Sequence, residues 1–340
     1  MTIAGTELHR RNDLAPLVPT VVYDAYWRFA TERQDVFFRR IESPLSLWTK
    51  DPILARHKFT NAYRASDRVS QFLIREVIYR GDRSPREVFF RTLLFKLFNK
   101  VETWKLLERE LGDLRWRTFR LARYVSVLDR AMQAGQRIYS AAYIMPTAAA
   151  FQGDRKHETH LRLLEHMIQK EAVERLVGAK TMRAAFEVLR GFPMMGDFLA
   201  YQFVTDLNYS DILNFSEMEF VVPGPGARDG LRKCFSSFGG LSEPDVIRLV
   251  AERQDREFAR LGLRFRSLWG RPLQLIDCQN LFCEVDKYAR VAHPEVGGLS
   301  GRTRIKQVFD PNPAPIAYWY PPKWGINEEV AATLPRGVAR

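Results

Sequence analysis

The chain of 340 residues carries 52 Lys and Arg against 40 Asp and Glu, which gives a net charge of +12, and 46% of its residues are hydrophobic. A chain of this length and hydrophobicity buries a core in one large domain or two lobes, which excludes an intrinsically disordered protein. The basic excess favours a polyanionic partner such as nucleic acid, while a basic soluble protein without such a partner stays open at this point.

Cysteine content and the amino-terminal segment indicate the compartment. The three cysteines, Cys234, Cys278 and Cys283, are too few and too scattered for a disulfide framework or a zinc site. The first 16 residues hold no apolar core of signal-peptide length, and no segment approaches the roughly 20 apolar residues of a membrane span. We therefore expect a cytoplasmic protein that is neither secreted nor inserted in a membrane.

Apolar residues at three-and-four spacing predict long helices along most of the chain, and hence a mainly α protein. The predicted helices span residues 17–40, 58–79, 85–99, 101–111, 117–134, 156–176, 179–190, 196–207, 243–261 and 273–290. The best strand signal is at residues 217–222, before the sequence PGPG. We expect two helical lobes around a cleft, residues 1–150 and 151–309, with a boundary near 148–156, followed by a Pro- and aromatic-rich extended strap, residues 310–340.

Two of the predicted helices each carry a continuous row of hydrogen-bonding side chains within about 80° of one another. The row in helix 58–79 consists of Asn61, Arg64, Arg68, Gln71 and Arg75. The row in helix 273–290 consists of Asp277, Asn280, Glu284 and Lys287. If both rows faced one cleft, buried carboxylates would lie opposite guanidinium groups, as in a site that holds a phosphorylated substrate and a base. Two structural networks that tie helices together are an equal alternative.

Two basic segments are candidates for contact with a nucleic-acid backbone. In RWRTFRLAR the residues Trp116 and Phe119 alternate with arginines, which suits phosphate contacts beside a stacking surface. These arginines are Arg115, Arg117, Arg120 and Arg123. After PGPG, the residues Arg228, Arg232 and Lys233 open a basic helix that resembles a phosphate cradle, although an ordinary turn explains the same pattern.

Residues 179–211 read as helix, tight turn and helix. Gly191 and Gly196 in the turn GFPMMG permit a tight backbone, and the first amides of the second helix can bind a DNA phosphate. The pattern resembles the helix-hairpin-helix of DNA glycosylases, in which a catalytic aspartate follows about 20 residues after the turn; Asp206 and Asp211 lie near that place. An ordinary helical hairpin in a core is the alternative.

Several common catalytic motifs do not occur in the sequence. It contains no P-loop, no GxGxxG after a strand, no HExxH and no GxSxG, which weakens nucleotide hydrolysis, dinucleotide binding and common hydrolase routes. We predict that His157, His160 and His166 lie on a solvated helix face, since the sequence offers no carboxylate at a suitable third position. We therefore predict neither a metal nor another cofactor.

Several of these segments together resemble the alpha-glutamyl/putrescinyl thymine pyrophosphorylases, phage proteins also described as amino acid:DNA transferases, whose helical domain is related to that of 5-hydroxymethyluracil DNA kinases. The resemblance covers residues 35–325. The segments that carry it include LWTKDPILARHKFTNAYRASDRVSQFLI, GFPMMGDFLAYQFVTDLNYSD, DCQNLFCEVDKY and PKWG.

The resemblance implies a glycosylase-like helical fold in the cytoplasm of an infected bacterial host, without base excision. A kinase first phosphorylates 5-hydroxymethyluracil in DNA, and the transferase then replaces the phosphate with an amino acid or a polyamine. The missing P-loop favours the transferase. A glycosylase for a modified thymine and a non-enzymatic DNA-binding protein remain the alternatives.

This chemistry implies roles for the candidate residues. A flipped-out base in a pocket needs cations at the leaving phosphate, a carboxylate that accepts the proton of the amine, and amides that contact the uracil edge or the amino acid. The implied phosphate ligands are Arg64, Arg68 and Lys287. The implied bases are Asp206, Glu284 and Asp277. The implied amides are Asn61, Gln71, Asn208 and Asn280.

Overall fold

The computed structural model describes residues 16–43, 47–141, 151, 153, 155–312 and 314–334. Within these residues the chain forms fifteen α-helices and two short strands, which confirms the mainly α class. The helices are α1 (Val21–Glu42), α2 (Pro52–Arg56), α3 (Arg68–Phe72), α4 (Pro85–Phe98), α5 (Val101–Leu111), α6 (Leu121–Gln133), α7 (Lys156–Gln169), α8 (Ala172–Val177), α9 (Met182–Arg190), α10 (Asp197–Leu207), α11 (Pro225–Cys234), α12 (Glu243–Glu252), α13 (Gln254–Arg260), α14 (Leu275–Ala292) and α15 (Asn327–Thr333).

The prediction of one helix over residues 58–79 is wrong in its first half. Helix α3 begins only at Arg68 and continues into a π-helical turn, Leu73–Ile78, whereas residues 58–67 are irregular apart from a 3₁₀ turn at Arg64–Ser66. The physical reason is local. The Asn61 side chain donates to the Ser66 carbonyl at 2.8 Å, and the Asp67 carboxylate accepts the Asn61 N–H at 2.8 Å. Such side chains compete with helical backbone bonds, so Asn61 and Arg64 do not share a helix face with Arg68.

The predicted strand at residues 217–222 is also wrong, since this segment contains no strand. The two strands of the described residues are β1 (Val18–Pro19) and β2 (Phe235–Ser237), and they pair antiparallel with Val18 opposite Ser237. No helix of the described residues is long and apolar enough to cross a membrane.

The chain folds into two compact units. The first comprises Met1–Asp67, Phe220–Tyr318 and Glu328–Arg340, and its core contains α1, α11 and α14. Tyr26 and Phe282 pack at 4.6 Å between ring centroids. Helices α11 and α14 approach closely because Gly230 has no side chain: a Cβ there would overlap the carbonyl oxygen of Phe282.

The second unit comprises Arg68–Glu219 and Trp319–Asn327. Helix α4 forms its centre, buried along nearly its whole length. The segment Trp319–Asn327 packs within this unit, where Lys323 Nζ donates to the carbonyls of Ser210 and Leu213 at 3.1 and 2.7 Å. The predicted lobe boundary at 148–156 lies largely outside the described residues, and the division into 1–150, 151–309 and 310–340 stays a prediction.

Candidate functional site

Segment 58–67 lies along the polar row of α14, within the first unit. The Thr60 N–H donates to Glu284 Oε2 at 3.0 Å, and the Arg64 N–H donates to Asp277 Oδ1 at 2.9 Å. Lys287 Nζ donates to the carbonyl of Lys58 at 3.3 Å. The carboxylates and the ammonium group of the row therefore bind the backbone of an irregular segment, which has no helical partner for its own N–H groups.

Thr60 is the centre of this contact. Arg33 of α1 donates from Nε to the Thr60 carbonyl at 2.9 Å. The terminal nitrogens of Arg33 form no hydrogen bond or ion pair with any described residue. The Thr60 hydroxyl is buried and likewise has no partner in the described part of the chain. A guanidinium held by one nitrogen, beside an unpaired hydroxyl, leaves donors available for a ligand.

Charged side chains of both signs surround Thr60. Glu284 pairs with Lys287 at 2.6 Å, and Asp67 follows the 3₁₀ turn that starts at Arg64. Asn280 lies one helical turn before Glu284, half-buried, with no hydrogen bond to the described residues. We name the group the Thr60 cluster. It consists of Arg33, Thr60, Arg64, Asp67, Asn280, Glu284 and Lys287.

Burial perturbs two ionisable groups of the cluster. Burial raises the pKa of Asp67 to about 6, and the negative charge of Glu284 adds to the increase, against the opposing effects of the Asn61 N–H, Arg33 and Arg64. Burial also lowers the pKa of Arg33 from its ordinary value, which the charges of Asp67 and Glu284 oppose. A carboxyl with a pKa near neutrality beside cations is suited to accept a proton.

Sequence reasoning missed Arg33 and Asp67. Asp67 occurs three residues after Arg64 in RASD, and at helical pitch it lies about 40° from Gln71, just outside the arc that defined the row. Arg33 lies in α1 and is 27 residues from Thr60 in sequence, so only tertiary structure brings the two together.

Several predicted substrate ligands instead bind backbone groups. The Asn61 amide bonds the Ser66 carbonyl, and the second oxygen of Asp277 caps α14 by accepting the Gln274 N–H at 3.0 Å. In the second unit, Gln71 Oε1 accepts the Trp319 N–H at 2.8 Å. Asn208 Nδ2 donates to the Phe215 carbonyl at 3.0 Å, and Asn208 Oδ1 accepts the Phe215 N–H at 2.9 Å. These contacts stabilise the local backbone. The roles of the same side chains in substrate binding stay predictions.

Asp206 lies in α10 of the second unit and is fully buried, with 0% of its surface exposed. It pairs with Lys96 of α4 at 3.2 Å, and Lys96 is also buried. A carboxylate enclosed in this way ties two helices together, which favours a structural role over direct contact with substrate. Asp211 is exposed and pairs with Arg83. Arg68 and Arg75 are half-buried in the same unit.

The helix-turn-helix predicted for residues 179–211 is present as α9, a turn and α10, and neither glycine of the turn has a left-handed backbone. Gly191 and Gly196 have ordinary φ values of −69° and −68°. The left-handed residue of the turn is Met194, with φ 67°. Both glycines are exposed, so their binding of DNA remains a prediction based on access rather than on backbone conformation.

The four arginines of the segment RWRTFRLAR are all exposed, around the 3₁₀ turn Trp116–Thr118 and the start of α6. Arg117 and Arg120 line a groove of about 1040 Å³ together with Trp116. Phe119 is buried against Trp116, at 5.7 Å between ring centroids, so it supports the surface instead of forming it. Arg115 pairs with Asp113 at 2.6 Å.

The predicted phosphate cradle at residues 228–233 is wrong for Lys233. Its side chain is buried and pairs with Asp286 of α14 at 3.0 Å. Arg228 and Arg232 are exposed, but both pair with Glu243, at 3.1 and 3.8 Å. A buried ammonium group with a buried counter-ion is unavailable to a nucleic acid, whereas the two arginines remain at the surface.

The prediction of a solvated histidine face on α7 is wrong for two of its three residues. His157 and His160 are buried. His157 Nε2 lies 3.0 Å from Asp129, and His160 Nδ1 lies 2.7 Å from the Tyr139 hydroxyl. Among the residues that the structure describes, no group of three or more His, Cys, Asp or Glu is arranged to hold a metal ion.

Comparison with known proteins gives one match. Residues 20–298 match the family model described as 5-hmdU DNA kinase, helical domain. This range includes every residue of the Thr60 cluster and both helices of the turn motif. No curated protein and no solved structure matches the sequence.

Proposed function

The chain belongs to the family of 5-hmdU DNA kinase helical domains, and from this premise we propose that it acts in thymine hypermodification by transferring an amino acid or another amine to phosphorylated 5-hydroxymethyluracil in DNA. The family relates the chain to 5-hydroxymethyluracil metabolism. The sequence contains no P-loop to bind a nucleoside triphosphate, which favours a step after phosphorylation over phosphorylation itself.

The observation that carries the proposal is the position of Asp67 in the Thr60 cluster. Its carboxyl has a pKa of about 6 and lies near Arg33 and Arg64, beside the Glu284–Lys287 pair. In the transfer, the amine nitrogen forms a bond to the exocyclic CH₂ of the base while the bond from that carbon to the phosphate oxygen breaks. The phosphate leaves with the electron pair, and Asp67 takes the proton that the amine loses.

The remaining roles follow from the same chemistry. The exposed arginines of residues 115–123 are proposed to bind the DNA backbone. Arg64 is proposed to stabilise the leaving phosphate, because a cation at that oxygen lowers the barrier to its departure. Asn280, half-buried without a partner among the described residues, is proposed to contact the base or the amine.

The test is mass spectrometry of nucleosides from DNA that contains 5-phosphomethyluracil, after incubation with the protein and a mixture of amines. Transfer gives a new nucleoside whose mass equals that of 5-phosphomethyl-deoxyuridine plus the amine minus phosphoric acid. Asp67→Asn should lower the rate of its formation by at least about 100-fold. Asp255→Asn, at an exposed position of α13, is the control and should keep the wild-type rate.

The alternatives give different products in the same reaction. A glycosylase leaves abasic sites that alkali converts to strand breaks, and a DNA-binding protein leaves the nucleosides unchanged while its affinity falls with salt. An unchanged nucleoside profile across all amines would contradict the proposal, as would full activity of Asp67→Asn.

A further inference from the structure

We propose that Arg33 binds the carboxylate of a free α-amino acid whose amino group lies at Asp67, so that the Thr60 cluster selects amino acids over amines without a carboxylate. The inference rests on the proposed transfer for its chemistry, but it concerns the binding of the small substrate and has its own measurement. Arg33 lies in α1, outside every motif found in the sequence, and the proposed transfer gives it no role.

The geometry of Arg33 fits a carboxylate. Its Nε–H is fixed on the Thr60 carbonyl at 2.9 Å, which orients the planar guanidinium. The two terminal nitrogens have neither hydrogen bond nor ion pair within the described residues. Two parallel N–H groups on an oriented guanidinium match the two oxygens of a carboxylate, and an arginine held in advance loses little entropy when it binds.

The charges around Arg33 favour a zwitterion as the small substrate. The side chains of Arg33, Arg64 and Lys287 carry three positive charges. Asp67 and Glu284 carry two negative charges when ionised, and Asp277, at the Arg64 N–H, carries a third. A set that sums to zero has no excess charge to offset an added ion, whereas an amino acid brings one positive and one negative charge and keeps the balance.

The amino acid can bind because the Arg33 guanidinium and the carboxylates of Asp67 and Glu284 do not pair directly with one another. Asp67 and Glu284 both influence the ionisation of Arg33, yet neither lies within the 4 Å of an ion pair with it. If Arg33 paired directly with either carboxylate, its terminal nitrogens would not be available to bind a substrate carboxylate. An α-amino acid bridges the gap with its carboxylate on Arg33 and its ammonium group on Asp67, and the buried Thr60 hydroxyl lies beside it as a further partner.

The inference is tested with three donors: glycine, glycinamide, which lacks the negative charge, and 1,4-diaminobutane. Transfer to 5-phosphomethyluracil DNA is measured for the wild type, Arg33→Gln, Arg33→Lys and Arg28→Gln, the last being an exposed arginine of the same helix. Loss of a charge-assisted bidentate contact should lower kcat/KM for glycine by about 10- to 100-fold in Arg33→Gln. The rate with glycinamide should change less than about twofold.

Arg33→Lys should keep part of the glycine preference, and Arg28→Gln should keep all of it. Comparing the glycine-to-glycinamide ratio between variants removes the intrinsic difference in amine reactivity. An equal loss for both donors in Arg33→Gln would overturn the inference, because it indicates a structural or phosphate-binding role. A wild type that uses all three donors equally would also overturn it.

Direct binding of glycine to the protein without DNA separates the failure of this inference from failure of the proposed function. The titration uses the wild type and Arg33→Gln, with thermal melting to show that the variant is folded. Glycine binding that Arg33→Gln removes would support the inference even if no donor were transferred. Absent binding, or binding equal in both proteins, would overturn it even if transfer were observed.

Discussion

Asp67→Asn is expected to stabilise the folded protein at neutral pH while removing its proposed activity. Burial raises the pKa of the Asp67 carboxyl from 3.8 to about 6, so the folded state favours the neutral form more than the unfolded state does. Ionised Asp67 is therefore a cost to folding. Asparagine keeps an oxygen that can accept the Asn61 N–H, which at present bonds the carboxylate at 2.8 Å.

The size of the stability change follows from the difference between the pKa of Asp67 in the folded and in the unfolded protein. A difference of about 2 pKa units corresponds to about 3 kcal/mol at pH 7, where both states are ionised. The contribution of Asp67 to the free energy of unfolding of the wild type should be greatest below about pH 4. It should fall as the pH rises from there through about 6. The advantage of Asp67→Asn should thus reach about 1–3 kcal/mol at pH 7.5, shrink to about half at pH 5, and disappear below about pH 4.

Thermal and urea unfolding of the two proteins between pH 4 and pH 8 measures this difference, with Asp255→Asn as the exposed control that should show no trend. Loss of stability in Asp67→Asn at pH 7.5 would refute the reasoning, since it would show that the ionised carboxylate contributes more through its partners than burial costs. A pH-independent difference would refute it equally, because linkage requires the difference to vary where Asp67 titrates.

Three further predictions concern packing and charge. Gly230→Ala should lower the free energy of unfolding by more than about 2 kcal/mol because its Cβ would strike the α14 backbone; Gly196→Ala, which has open space around its Cβ position, should unfold like the wild type in urea. Asp206→Asn should cost about 3–5 kcal/mol by leaving Lys96 without its counter-ion in the core, and a double variant with Lys96→Met should recover most of that loss in the same titration. Arg120→Gln should weaken duplex DNA binding and reduce the slope of log K against log salt by about one unit in fluorescence anisotropy, and an unchanged slope would exclude Arg120 from the interface.

The sequence by itself determined the mainly α class and most helix positions, since apolar periodicity reports which side of a helix is buried. Residues 85–98, 101–111 and 197–207 form helices within about a residue of their predicted bounds. The polar row of α14 was visible for the same reason. It is one regular helix, so the spacing of Asp277, Glu284 and Lys287 fixes their common face.

What only the tertiary structure decided is what that row contacts. Local hydrogen bonds between Asn61 and Asp67 overrode the helical pattern of residues 58–67, and periodicity cannot register such competition. The tertiary structure also determined which basic side chains are accessible: Lys233 is buried with a counter-ion, whereas Arg120 is exposed. The site as proposed depends on Arg33 reaching Thr60 from another helix. A sequence states which groups are available, but only the folded chain determines which of them remain without a partner.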